Sequence, residues 1–157
     1  VCSQDCKNIE CKSGYQRNTT NNKCESTDTS APVITIRPSQ SSVYQKVVPL
    51  VINAECKDYN GACRNFKWYK TNTTIQNCKD IPLSQYAKVE NNEAMNVSVY
   101  TKTSLCFYAD DSANHEVWTS PYVALIDTTP PTVKFQKTSS ATNTLVQFYP
   151  EDLESKV

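Results

Sequence analysis

The chain has 157 residues and no net charge, because 16 basic residues balance 16 acidic ones. No basic stripe suits a phosphate backbone or an anionic lipid surface, and no apolar run approaches the roughly 18 residues of a membrane-spanning helix. These features exclude nucleic acid as a partner and direct membrane insertion of this segment. The eight cysteines lack the Cys-x-x-Cys spacing of zinc sites and predict disulfides, so we expect a secreted or cell-surface protein.

The first segment, residues 1–29, holds half of the cysteines and few large apolar side chains. So short a unit cannot bury enough surface to fold unaided, and its cysteines are expected to act as the core. The run from Cys11 to Tyr15, closed at Cys24, resembles the last loop of epidermal-growth-factor-like modules, which have six cysteines. Four cysteines allow three pairings. We favour the pairs Cys2–Cys6 and Cys11–Cys24.

The middle segment, residues 30–129, has the period-two alternation of β-strands. Apolar residues alternate with others over 50–56, 66–69, 95–100 and 105–110, and shorter strands open and close the segment. About seven short strands in this segment predict an all-β fold built as an antiparallel β-sandwich.

Two stretches of the middle segment resemble bacterial-type immunoglobulin-like (Ig-like) repeats. Leu105–Asn114 contains an Ala-x-Asp-x-x-Asn turn without the family's glycine, and Ser120–Thr132 contains a final strand and an Asp-Thr-Thr-Pro-Pro junction. The Cys56–Cys63 turn is similar to another turn of the same family. The resemblance implies an Ig-like sandwich, followed by a stiff junction in which two prolines fix the backbone.

An internal repeat extends this interpretation to the last segment. Residues 31–36 align with 130–135 at an offset of 99, and residues 54–58 align with 148–152. We therefore predict that residues 130–157 form the first strands of a second, incomplete Ig-like domain. Two strands leave an apolar face open, which further sequence or a neighbouring molecule is expected to cover.

The four cysteines of the middle segment allow two interpretations. The Ig-like resemblance implies a core disulfide from Cys56 to Cys106, packed on Trp68. Strand alternation instead places Cys56 with the inward residues and Cys106 outward, and both thiols of a core disulfide have to lie inside. We favour Cys56–Cys63 with Cys78–Cys106 on the outer face of a sheet, and Cys56–Cys106 stays the alternative.

Surface positions are expected to carry glycans and aromatic side chains. Three Asn-x-Ser/Thr motifs lie in predicted loops or on outward strand positions, so we expect N-linked glycans and no cofactor. The glycan acceptors are Asn18, Asn72 and Asn96. The outward tyrosines are Tyr69, Tyr100 and Tyr108.

No catalytic or metal site is predicted. The single histidine, His115, has no nucleophile beside it and is interpreted as a surface-loop residue, so we predict a non-enzyme. Calcium takes six to eight oxygen ligands, and the sequence offers no dense Asp-x-Asp array. The calcium candidates are Asp58, Asp110, Asp111 and Asn114. We interpret Asp58, Asp111 and Asn114 as turn residues whose side chains bond their own backbone.

These features favour a structural function: a component of an extracellular glycoprotein array, such as a stalk, a surface appendage or a filament protomer. Its partners would be other copies of the chain or another extracellular protein. The alternative is the ligand-binding ectodomain of a cell-surface adhesin or receptor. Fold class by itself does not choose between them.

Overall fold

A computed structural model describes residues 10–46, 48–59 and 63–152. The fold is all-β, as the alternation predicts, and the paired strands of the described residues are antiparallel. Short 3₁₀ helices occur at Cys78–Asp80 and Leu83–Gln85. Within the described ranges, no helix has the length and apolar character to cross a membrane.

The N-terminal module contains one short hairpin, formed by β1 (Tyr15–Asn18) and β2 (Lys23–Ser26). A disulfide joins Cys11 to Cys24, one of the two pairs that the sequence favours for this segment. Gly14 has a φ of 83°, a conformation that glycine adopts without steric cost. The other favoured pair, Cys2–Cys6, lies outside the described residues.

Two facing sheets make up the middle segment. Its strands are β3 (Val33–Arg37), β4 (Leu50–Lys57), β5 (Asn65–Thr71), β6 (Ala87–Lys88), β7 (Ala94–Val99), β8 (Thr103–Asp110), β9 (Glu116–Trp118) and β10 (Tyr122–Ala124). The first sheet has the order β3-β4-β7, and the second has the order β10-β8-β5-β6 with β9 also paired to β8.

The inner core lies between these two sheets and follows the predicted alternation. Ile52, Ala54 and Cys56 of β4 are buried there against Leu105 and Phe107 of β8. Phe66 and Phe107 stack with their ring centres 6.1 Å apart, which joins β5 to β8 within the second sheet. The period-two pattern therefore identifies the inward residues because one face of each sheet packs on this core.

The outer face of the second sheet is covered, which corrects the prediction that Tyr69 and Tyr108 are exposed. Tyr108 is 3% exposed and Tyr69 is half-buried, while Tyr100 is 59% exposed as expected. The residues between β5 and β6 fold over this face; we call residues 75–86 the covering segment. Alternation gives the direction of a side chain and does not show whether another segment lies over it.

The covering segment and the strand beneath it form a second hydrophobic cluster, the outer cluster. Tyr86 contacts Trp118 edge-on with ring centres 5.7 Å apart, and Trp118 lies 4.6 Å from the ring centre of Tyr108. β8 consequently has buried residues along its whole length and on both faces. The members of the outer cluster are Cys78, Tyr86, Cys106 and Tyr108, with Tyr69, Ile75, Ile81, Leu83 and Trp118 packed against them.

The two disulfides of the middle segment belong to different cores. Cys56 bonds Cys63 in the inner core, and Cys78 bonds Cys106 in the outer cluster. Their α-carbons are 6.1 Å and 5.5 Å apart, within the usual range for disulfides. These are the pairs that alternation favours, and the alternative Cys56–Cys106 would have to join a residue of the inner core to one on the outer face of the second sheet. Cys106 is nevertheless fully buried rather than at the surface.

The last segment is a single hairpin, the terminal hairpin, made of β11 (Thr132–Ser139) and β12 (Thr144–Glu151). Its register pairs Val133 with Pro150 and Phe135 with Phe148. In the first sheet the corresponding pairs are Ile34 with Cys56 and Ile36 with Ala54. The two aligned stretches of the internal repeat therefore share one strand register.

Candidate functional site

The terminal hairpin exposes an apolar face. Val133, Phe135, Val146 and Phe148 lie on this face and are between 44% and 69% exposed, and Lys137 lies at its end, opposite Val146. Their counterparts in the first sheet, such as Ile36 and Ala54, pack on the inner core. A contiguous exposed apolar patch of this kind is typical of an interaction surface.

The two edge strands of the terminal hairpin differ in charge. β11 carries Lys134 and Lys137, and Lys134 forms an ion pair with Glu151 at 2.6 Å. β12 has no charged residue from Thr144 to Pro150. Edge lysines discourage pairing with another chain, so β12 is the less protected edge.

None of the three predicted glycan acceptors lies within the terminal hairpin. Asn72 follows β5 and Asn96 lies on β7, and both are exposed. Asn18 ends β1, where its side-chain amide donates a hydrogen bond to Glu25 at 2.8 Å. Glycan attachment at Asn18 competes with this bond, so Asn72 and Asn96 are the better placed acceptors.

An arginine occupies the space beside two of the calcium candidates. The Arg64 guanidinium donates to Asp110 Oδ1 at 3.0 Å and to Asn114 Oδ1 at 3.1 Å. Asn65 and Tyr108 also donate to the Asp110 carboxylate. Burial raises the pKa of Asp110, but the hydrogen bonds from these three residues outweigh it and lower that pKa overall.

Asp111 forms the turn that the sequence predicts and also binds the histidine. Its Oδ1 accepts hydrogen bonds from the backbone N–H groups of Ala113 and His115, both at 2.8 Å. Its Oδ2 lies 2.7 Å from Nδ1 of His115. This hydrogen bond raises the pKa of His115, and Asn114 completes the turn with a φ of 69°. His115 is therefore a partly buried ion-pair partner rather than a free surface residue.

Asp28 joins this pair from the segment that follows β2. A carboxylate oxygen of Asp28, a carboxylate oxygen of Asp111 and a ring nitrogen of His115 all lie within 4.8 Å of one another. Sequence reasoning missed Asp28, because only the folded chain brings it to the β8–β9 turn. Its position in a Ser/Thr/Asp stretch indicates a linker and gives no signal of this contact.

Exposed aromatic side chains lie together on the terminal hairpin, whereas Tyr69 and Tyr108 of the middle segment are covered by the outer cluster. Phe135 and Phe148 are directly opposite each other on the apolar face, and Tyr149 is 43% exposed on the other face. Tyr100 and Tyr59 are exposed elsewhere. Comparison of the chain with known protein families, curated proteins and solved structures finds no match.

Proposed function

We propose that this chain is a structural component of an extracellular glycoprotein array and that copies associate through the terminal hairpin. The exposed apolar face of that hairpin is the observation that carries the proposal. Three disulfides in the described residues indicate an oxidising environment, and the Ig-like resemblance of the middle segment suits a repeated extracellular module.

A second copy is the partner that suits the edge of β12. Antiparallel pairing of β12 with itself about Gln147 brings Val146 opposite Phe148 and Leu145 opposite Tyr149. Every side chain then stays on its own face, because residues that pair directly have the same parity. The result is a four-stranded sheet with apolar residues of both copies on one continuous face.

The edge and the apolar face are two different surfaces of the same hairpin. Edge pairing joins two copies about a two-fold axis, and contact between apolar faces joins one such pair to another. Two contacts for each copy are sufficient for an extended assembly. The three glycan acceptors, Asn18, Asn72 and Asn96, all lie outside the terminal hairpin, so no glycan is expected on its strands.

Sedimentation equilibrium of the disulfide-intact protein tests the proposal. We expect the wild-type chain to associate with increasing concentration. Val146→Lys should weaken that association, because a charged side chain in each copy then replaces the apolar contact with Phe148 of the other copy. Gln136→Lys is the matched control, since it adds the same charge to an exposed position of β11.

Self-association is contradicted if the wild-type chain stays monomeric up to about 1 mM, because a dissociation constant of that size corresponds to a binding free energy of only about 4 kcal/mol. In that case the aromatic residues of the terminal hairpin favour the ligand-binding ectodomain instead. An association that Gln136→Lys weakens as much as Val146→Lys does contradicts the assignment of the contact to β12.

A further inference from the structure

Two separate parts of the chain contribute to the cluster of Asp28, Asp111 and His115. Asp28 lies between the N-terminal module and β3, whereas Asp111 and His115 lie in the turn between β8 and β9. Their ligand atoms all lie within 4.8 Å of one another. Two ligands of a tetrahedral zinc ion at about 2 Å lie roughly 3.3 Å apart, so small side-chain movements bring the three groups onto one ion.

The carboxylate of Asp28 has an oxygen that the protein leaves unbonded. Asp28 is 6% exposed, and its Oδ1 accepts a hydrogen bond from the backbone N–H of Ser30 at 2.9 Å. Its Oδ2 is buried and has no hydrogen-bond partner. A buried polar atom without a partner is costly, which points to a ligand at this oxygen.

Charge balance also favours a divalent cation. Asp28 and Asp111 are both buried, and one protonated histidine offsets only one of their two negative charges. A divalent cation bound to two carboxylates and a neutral imidazole gives a neutral group. The cation replaces the ring proton, which is released to solvent when His115 becomes a ligand.

We propose that Asp28, Asp111 and His115 bind a zinc ion that fixes the N-terminal module to the middle segment. Imidazole and carboxylate together suit zinc, whereas calcium takes six or more oxygen ligands. Three protein ligands leave the fourth position of a tetrahedral zinc ion to water. The Asp111 turn is held by its own backbone hydrogen bonds, so it presents one wall of the site independently of the linker.

The single histidine of the chain makes the test direct, because its ring nitrogens give one set of NMR signals. We expect one equivalent of ZnCl₂ at about pH 8, above the ordinary histidine pKa, to shift one ring-nitrogen signal. An equal amount of CaCl₂ should leave it unchanged. If the signal does not shift at about 1 mM zinc, the dissociation constant is above that concentration, which is too weak for a structural site and overturns the proposal.

Variants then identify the carboxylate ligands. Asp28→Asn should lower the zinc affinity by about tenfold or more, because even residues that only orient a ligand contribute this much. The matched control is Asp80→Asn, an exposed aspartate on the Cys78–Asp80 helix, which should bind zinc like the wild type. Unchanged zinc affinity in Asp28→Asn overturns the three-residue site. If a variant does not fold, the comparison of zinc with calcium on the wild-type chain still tests the proposal.

Discussion

Replacement of Tyr86 measures how much the covering segment contributes to stability. Tyr86 is 7% exposed, its ring contacts Tyr69 and Trp118, and its hydroxyl donates to the carbonyl oxygen of Cys78 at 2.9 Å. Tyr86→Ala removes both the ring and the hydrogen bond. Loss of a buried aromatic ring costs about 3–5 kcal/mol in the free energy of unfolding, so we expect a loss in that range.

Tyr86→Phe separates the two contributions. The Cys78 carbonyl also accepts a hydrogen bond from the backbone N–H of Ile81 at 3.3 Å, so removal of the hydroxyl does not leave it without a partner. We therefore expect Tyr86→Phe to cost only about 1 kcal/mol, the usual net value of one hydrogen bond. The difference between the two variants is then the packing of the ring.

Urea unfolding of the disulfide-intact protein, followed by circular dichroism, gives both free energies. The matched control is Tyr100→Ala, because Tyr100 is 59% exposed and its loss should change stability by about 0.5 kcal/mol at most. If Tyr86→Ala costs no more than Tyr100→Ala, the covering segment does not pack on the second sheet and the outer cluster is not a core.

Three further perturbations act on the two disulfides of the middle segment, on Tyr86 and on Asp110. A disulfide that closes a longer loop restricts the unfolded chain more, so loss of Cys78–Cys106, with a separation of 28, should lower the free energy of unfolding by about 3.6 kcal/mol. Loss of Cys56–Cys63, with a separation of 7, should lower it by about 2.4 kcal/mol. Urea unfolding of the two double-alanine variants checks this order, and the reverse order contradicts it. Burial raises the pKa of Tyr86 from 10 to about 12, so the stabilisation that comes from its neutral hydroxyl is complete below pH 10 and is lost as the pH rises to 12. The free energy of unfolding should therefore fall less steeply with pH in Tyr86→Phe than in the wild type. The lowered pKa of Asp110 acts in the opposite direction, because the stabilisation by its ionised carboxylate is present above the ordinary pKa near 4 and is lost as the pH falls below it. Arg64→Met should reduce this loss of stability in acid, as followed by circular dichroism.

The parts of the fold that sequence could predict are those set by local alternation. The inward set of β4 and β8, which includes Ile52 and Phe107, follows from period two because these residues face one core. The two strands of the terminal hairpin follow from the internal repeat, since aligned stretches form the same kind of element, but their register is known only from the structure. The burial of Tyr108 did not follow, because the covering segment between β5 and β6 has no strand period to indicate its path.

In the candidate sites too, contacts between residues close in sequence could be predicted, and contacts between residues far apart in sequence could not. Asp111 could be predicted as a turn residue because its hydrogen bonds reach only two and four residues along the chain. The contact of Asp28 with His115 depends on how the N-terminal module meets the β8–β9 turn, and no local pattern encodes that meeting. The Arg64 ion pair with Asp110 likewise joins the residue before β5 to the last residue of β8, and it is visible only once β5 and β8 are paired.

The double burial of β8 has a consequence for amide hydrogen exchange. β8 pairs with β5, β9 and β10, and both of its faces are covered, so its amides can meet solvent only when the sheet opens. Amides of this kind exchange only through global unfolding, whereas those on the outer edges of the exposed terminal hairpin face solvent and exchange without it. Deuterium uptake along the chain should therefore be slowest in Leu105–Ala109, and that stretch reports the stability of the whole middle segment.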